Sequence, residues 1–299
     1  MRSKPGKTLN SHHPYALITI IFWSLAYVLT RLTLEYFSAA ALGFLRYFAA
    51  SAVLAALAVR LKIKSPPKDD LAWFLFSGFS GFFLYIIAFN KGCETATASE
   101  SSVLIATVPA ITAILAKLIY GENIRPYQYG AIFLEFIGVI VLVGAHGSFS
   151  VNQGHLWLLG AAFLLSAYNI LQRKLTRKYP PFQAAMYSIF MGEMLLFVFA
   201  PGALVEIKNA PPAQWLYIAA LGVFSSAVAY LSWSTALARA RKTASVSNYM
   251  FLTPLLTTLL GYWLLNEKPP DSAIMGGAMI LAGMAVFNFG GALKGFFRR

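Results

Sequence analysis

Trp23, Tyr27 and Thr30 stand at i, i+4 and i+7, the spacing that puts three side chains on one face of a helix. Ser226, Tyr230 and Trp233 repeat that spacing later in the chain, and Tyr85 and Tyr168 add two more phenols. Such rings bind flat or amphipathic solutes by stacking and by hydroxyl hydrogen bonds, and their faces also cradle cations. They serve as well as anchors at a lipid interface. A second group consists of charges inside otherwise apolar stretches: Arg46, Glu100, Glu135 and Glu193. Ionisable groups in that setting are costly and point to recognition, proton movement or buried pairing. Bond-breaking chemistry has no such support. His12, His13, His146 and His155 lack metal-ligand spacing, Cys93 is the single cysteine, and no nucleophile–base pair or Walker-type phosphate loop is present. No metal, no cofactor and no use of ATP is therefore expected, and no internal disulfide can form.

The elements that must position these residues follow from composition. Hydrophobic residues make up 58% of the chain and charged ones 12%, against about 25% charged in soluble domains. The bilayer has to be the solvent. A hydrocarbon core of about 30 Å needs roughly 20 helical residues, and stretches of that length fall at 14–34, 38–60, 69–90, 96–119, 126–145, 154–173, 181–204, 213–236, 244–265 and 271–292. Backbone groups in lipid must be bonded internally, so all ten are expected to be helices. The apolar run from Tyr15 continues past Val28 without a small-residue cleavage site, which makes it a retained first span rather than a signal peptide.

The net charge of +13 would suggest nucleic acid in a soluble chain, but its placement argues otherwise. With the N-terminus in the cytoplasm, only Arg31, Lys91, Lys208 and Lys268 fall outside and Arg46 within a span, which leaves 19 of the 24 basic residues on the cytoplasmic side. That bias predicts ten spans with both termini inside. Nucleic acid is not an expected partner.

The second half of the chain copies the first. Pro109 is followed thirteen residues on by Glu122, and Pro254 thirteen on by Glu267; the offset of 145 also relates Tyr85 to Tyr230 and Gly138 to Gly283. Five spans per copy force the halves into opposite orientations, the plan by which many secondary transporters build two states around one site. The expected architecture is an all-α polytopic membrane protein of two inverted five-helix repeats. A cytoplasmic tail (1–13) would precede the first repeat (14–145). An outer linker (146–153) would lead to the second repeat (154–292) and a basic cytoplasmic tail (293–299). Mid-span Pro109 and Pro254 would bend spans four and nine and act as hinges. Glu122 and Glu267 read as caps or anchors, and the glycines of spans three, five and ten as sites of close helix packing.

With "FWSLAYVLTRL" opening span one, "FLRYFAA" in span two and Pro-x12-Glu closing both halves, the chain resembles the drug/metabolite transporter superfamily in its ten-span EamA branch. Within that branch its layout is similar to the bacterial aromatic amino-acid exporters. One departure is Ser24 after Trp23, where the family commonly has Trp-Gly. The resemblance implies a central cavity surrounded by spans one, three, four, six, eight and nine.

On that layout the expected substrate-binding residues are Trp23, Tyr27, Tyr85, Glu100, Ser102, Tyr168, Tyr230, Trp233 and Asn248. Tyr168 roughly matches Tyr27, and Glu100 pairs with Ser245 by the repeat, a break in symmetry suited to an asymmetric solute. Arg46 lies about 12 Å from one face and Glu193 about 18 Å from the other. These are the same level in a core of about 30 Å, so a buried pair between them is expected. Arg46, Glu135 and Glu193 are thus coupling or structural charges. The reading is a secondary transporter, an exporter of amino acids or other amphipathic metabolites by alternating access in a bacterial plasma membrane. Its partners would be a small-molecule substrate, the bilayer and, through Glu100, Glu135 or Glu193, protons. It would work as a monomer, because one chain holds both halves. Efflux of lipophilic cations and transport of sugars or nucleotide sugars are the alternatives, with a lipid enzyme or a channel more remote.

Overall fold

The computed structural model describes residues 11–144, 153–268 and 271–296. The expected tail before residue 11, the linker up to residue 152 and the last three residues of the basic tail lie outside the described residues. Among the described residues every element is helical and no strand occurs. In chain order the helices are α1 (His13–Thr33), α2 (Ala39–Leu61), α3 (Lys68–Thr95), α4 (Ala98–Tyr120), α5 (Pro126–Gly144), α6 (Gln153–Lys178), α7 (Pro181–Asn209), α8 (Ala213–Arg239), α9 (243–265) and α10 (Asp271–Phe296). Seven of them, α1 to α4 and α6 to α8, are long and apolar enough to cross a membrane. Side chains such as Val59, Leu118 and Trp263 stand exposed on the outside of the bundle, as hydrocarbon surroundings allow.

Five helices depart from regular α geometry: α7 through a 3-10 turn at Phe197–Phe199, and four others in two pairs. π-Helical turns occupy Phe79–Leu84 of α3 and Leu221–Val228 of α8, a distortion often found at functional sites. Tyr85 follows the first widened turn directly, and Tyr230 stands two residues after the second. In α4 the chain forms Ala98–Ile105, breaks, and resumes as Val108–Tyr120; in α9 it forms Thr243–Ser247, a 3-10 stretch Asn248–Phe251, then Leu252–Leu265. The expected bend at each proline is thus a break about a turn earlier. Pro109 and Pro254 sit in the first turn of the resumed helix, where a missing N–H costs nothing. What each proline does remove is the amide that would have met the carbonyl four residues back, Ile105 and Met250 respectively.

The ends of α4 and α9 are tied by exchange. Gly121 (φ 65°) and Asn266 (φ 53°) terminate the two helices in the left-handed conformation, which glycine and asparagine tolerate best. The next residue turns back in both cases, Glu122 N donating to the Ala116 carbonyl (3.3 Å) and Glu267 N to that of Gly261 (3.2 Å). Each carboxylate then caps the start of the other broken helix. Glu122 accepts from the amide and hydroxyl of Thr243 (3.4 and 3.0 Å), and Glu267 accepts from the amide of Ala98 (3.1 Å). Residues 98, 116, 121 and 122 pair with 243, 261, 266 and 267, one offset of 145 throughout. Both glutamates are therefore caps, of a helix in the opposite half of the chain.

The main buried cluster draws on α1 to α4 and α6 to α9, with Ile280 from α10. Helices α5 and α10 pack on each other at one side. A Cβ on Gly138 would stand 2.7 Å from the Gly276 carbonyl, and one on Gly283 would meet the Glu135 side chain at 2.6 Å, so only glycine permits this approach. A small second cluster, which includes Ala113, Ala131, Ala244 and Phe287, joins that pair to α4 and α9.

Candidate functional site

Between these helices lies a narrow cavity of about 10 Å³, room for roughly one water, lined by Trp23, Ala26 and Tyr27 of α1, Arg46 of α2, and Tyr85 and Phe89 of α3. Ile105 of α4, Tyr230 of α8, and Met250 and Thr253 of α9 complete it. The walls come from helices one, two, three, four, eight and nine; the family layout leads one to expect the sixth where the second is found. Ile105 and Met250, each four residues before a proline, contribute one lining residue from each half of the chain.

Sequence spacing brings four of the expected residues here: Trp23, Tyr27, Tyr85 and Tyr230. Two others stand one layer behind. Trp233 is fully buried, its ring centroid 4.9 Å from that of Trp23 and its indole N–H donated to Asn169 Oδ1 at 2.8 Å. Tyr168 packs on Phe82 (5.1 Å) and Tyr230 (5.7 Å). It occupies the place that Trp23 holds in the first half (168 less 145), rather than that of Tyr27, and Trp23 likewise lies against Tyr230 at 5.1 Å.

The polar residues expected from α4 and α9 have other work. Glu100 closes a capping box at the start of α4, its Oε2 accepting from the Thr97 amide (2.9 Å) and hydroxyl (3.0 Å). Ser102 donates to the Ser99 carbonyl at 2.7 Å, and Asn248 is buried in the 3-10 stretch two residues before Met250.

The expected Arg46–Glu193 pair is not made. Arg46 donates from Nε to Ser226 Oγ (2.7 Å) and from Nη2 to the Ser225 carbonyl (3.4 Å). Equal depth in the bilayer does not set the direction a side chain takes around its helix, and the π turn of α8 offers Arg46 two nearer oxygens. The carboxyl oxygens of Glu193 and of Glu135 are buried without hydrogen-bond partners. Glu135 lies against Gly283 between α5 and α10, away from the cavity.

Five lining residues escape a sequence reading based on polar and aromatic faces: Ala26, Phe89, Ile105, Met250 and Thr253. Phe89 is four residues after Tyr85 and stacks on it at 5.7 Å, so its place was readable from helical spacing. Thr253 stands immediately before Pro254, and Ile105 and Met250 are each four residues before a proline. What the cavity offers is a wall of aromatic faces with buried donors. The Trp23 indole N–H and the Thr253 hydroxyl are both buried and have no hydrogen-bond partner. Such a surface can hold an apolar body and orient one polar end. Among the described residues no cluster of His, Cys, Asp and Glu fit to hold a metal is present.

The sequence profile of the EamA-like transporter family matches residues 11–144 and again 152–289. A probable terminal-alkyne amino-acid exporter of Streptantibioticus cattleyicolor is 28% identical over 275 residues, 91% of this chain and 91% of its own. An uncharacterised transporter of Bacillus subtilis, YdfC, is 28% identical over 95% of this chain and 92% of its own. A solved crystal structure shares the fold with a TM-score of 0.68 at 22% identity, covering 91% of this chain and 95% of that one.

Proposed function

This chain belongs to the EamA-like transporter family, and from that premise we propose that it is a secondary transporter exporting amino acids or closely similar amphipathic metabolites by alternating access. The observation that carries the reading is the aromatic cavity with unpartnered buried donors, set between two ends closed by the same exchanged caps. Opening one end while the other stays capped would expose the cavity to each side in turn. The breaks before Pro109 and Pro254 supply the hinges. The exchange of caps at a constant offset supports two inverted five-helix halves and ten membrane crossings, with α5, α9 and α10 spanning as well. The bias of basic residues puts both termini in the cytoplasm of a bacterial plasma membrane.

Amino acids are favoured over the alternatives on two grounds. A relative of similar length carries the name of an amino-acid exporter. The cavity also sets the Arg46 guanidinium beside two unpartnered donors, Trp23 Nε1 and Thr253 Oγ1, complementary to the carboxylate of an amino acid. A lipophilic cation would meet the guanidinium of Arg46 with no carboxylate on the lining. We assign any proton coupling to Glu193 and Glu135, because Glu100 is committed to its cap.

The test is reconstitution of the full chain in liposomes holding an internal pH dye, challenged with aromatic and aliphatic amino acids, quaternary cations and sugars. Saturable flux of an apolar amino acid is the expected result. Flux of a quaternary cation or a sugar with no amino acid moving would overturn the substrate class. A proton signal that disappears in Glu193→Gln while exchange of labelled substrate persists is the expected mark of coupling.

A further inference from the structure

Arg46 is 3% exposed and lines the central cavity. Its two hydrogen-bond acceptors, the Ser226 hydroxyl and the Ser225 carbonyl, are both neutral. The ion pairs among the described residues are Arg31–Glu267, Lys91–Glu94 and Lys178–Asp70, so no carboxylate stands within 4 Å of Arg46. A full positive charge held away from water with only neutral partners is costly, and the attraction of an anion in such a place is correspondingly strong. Of the other buried polar groups on the same lining, Trp23 Nε1 and Thr253 Oγ1 can both donate and have no hydrogen-bond partner. The side-chain groups left unpartnered on this lining therefore call for an acceptor.

The anchoring of Arg46 adds to this. Ser225 and Ser226 belong to the π turn of α8, and Ser225 Oγ is itself donated to the Phe22 carbonyl of α1 at 2.9 Å. The guanidinium of α2 is thus held in a bracket made by α8 and α1, with part of its fork uncommitted. Around it stand Tyr27, Tyr85, Phe89 and Tyr230, which provide flat apolar faces for the rest of a solute.

We propose that Arg46 is the carboxylate-binding residue of the transport site, with Trp23 and Thr253 as secondary donors, and that the substrate is a monocarboxylate with an apolar body. This rests on the transport reading and deepens it. One uncompensated cation matches one negative charge, and fits a carboxylate better than a doubly charged phosphate ester. It also separates the site from a cation-efflux site, which would present an anion.

The experiment uses the purified full chain and three compounds that differ by one group: phenylalanine, 3-phenylpropanoate (no amine) and 2-phenylethylamine (no carboxylate). Binding is read by titration calorimetry and by thermal stabilisation, and transport by competition with labelled phenylalanine in liposomes. The two acids are expected to bind at least about tenfold more tightly than the amine, as for a hydrogen bond to a charged group. Arg46→Gln should abolish that preference and Arg46→Lys should keep part of it. Trp23→Phe, which retains the ring contacts and removes the N–H, should weaken the acids about fivefold and leave the amine unchanged. The wild-type comparison needs no variant to fold.

Equal binding of amine and acids, or an acid preference that survives in folded Arg46→Gln, would overturn the proposal while leaving transport intact. Tighter binding of phenyl phosphate than of 3-phenylpropanoate would overturn the monocarboxylate assignment. If none of the compounds binds, the anchor is wrong. Flux of another solute class would then leave a transporter standing, and absence of any flux would end both readings.

Discussion

At one end of the bundle Glu267 caps Ala98 and lies 3.5 Å from Arg31, whose Nη1 is donated to the Cys93 carbonyl at 2.9 Å. At the other end Glu122 caps Thr243 through both amide and hydroxyl, and the clamping arginine is Arg173, donated to the Ala240 carbonyl at 2.7 Å. The plan is the same, but Arg173 sits one helical turn short of the position that answers to Arg31 (31 plus 145 is 176). It therefore clamps the loop without reaching the glutamate. One end is closed by a cap and an ion pair, the other by a cap with an extra hydroxyl. A half-exposed ion pair contributes at most about 1 kcal/mol, and one hydroxyl about as much. On the proposed alternating-access reading, two ends built this way would hold each other near balance. That is what alternating access requires, because a solute shifts an equilibrium only when the two states differ by a few kcal/mol or less.

The comparison breaks most completely if either end never opens. A Cβ on Gly261 would lie 3.9 Å from that of Ala98, inside the range of about 3.5–4.5 Å for a disulfide. In a Cys93→Ser background, oxidised Ala98→Cys/Gly261→Cys should lose all transport and regain it on reduction. Full transport by the cross-linked protein would remove this end from the mechanism.

Removing the caps should give the next largest effect. Glu267→Ala and Glu122→Ala should favour opening at their own ends, each by about tenfold, the worth of a hydrogen bond to a charged group. Alkylation of Ala26→Cys in the cavity by an impermeant maleimide, added from each side in turn, reads this as opposite changes in rate. Changes of the same sign in both variants would mean that the caps stabilise the fold and do not gate it.

Thr243→Ala makes the Glu122 end resemble the Glu267 end. It should raise labelling from the Glu122 side about fivefold through loss of one hydrogen bond, with no change from the other side. Smallest is Arg31→Gln, expected to raise labelling from the Glu267 side about twofold and to remove the salt dependence of that rate, since exposed pairs are screened. Salt dependence that persists in the variant would assign it to other charges.

Several of these features were readable beforehand. The Pro-x12-Glu spacing located the two caps, and Thr97 with Glu100 is a Thr-x-x-Glu capping signature that marks the start of α4. Read that way, Glu100 would have been placed at a helix end from the outset. Tyr85 and Tyr230 were found by the repeat offset and do line the cavity. Arg46 was read as one half of a buried pair, because depth along a helix is legible in a sequence while rotation about its axis is not. The π turn of α8 supplied the two oxygens that Arg46 meets instead. Nothing in FSGFFL or LGVFSSAV announces an extra residue per turn.

Hydropathy, the count of residues between apolar stretches and the constant offset of 145 were enough to determine that this chain is helical, suited to a bilayer and built twice over. These are properties of spacing, and lipid enforces them by demanding internal hydrogen bonds over a known thickness. Only the tertiary structure decided which side chains share the cavity. Placing Arg46 beside Ser226, Trp233 behind Trp23 and Glu122 on Thr243 depended on how broken and widened helices turn against their neighbours. That is settled by packing among residues far apart in the chain, and no local pattern records it.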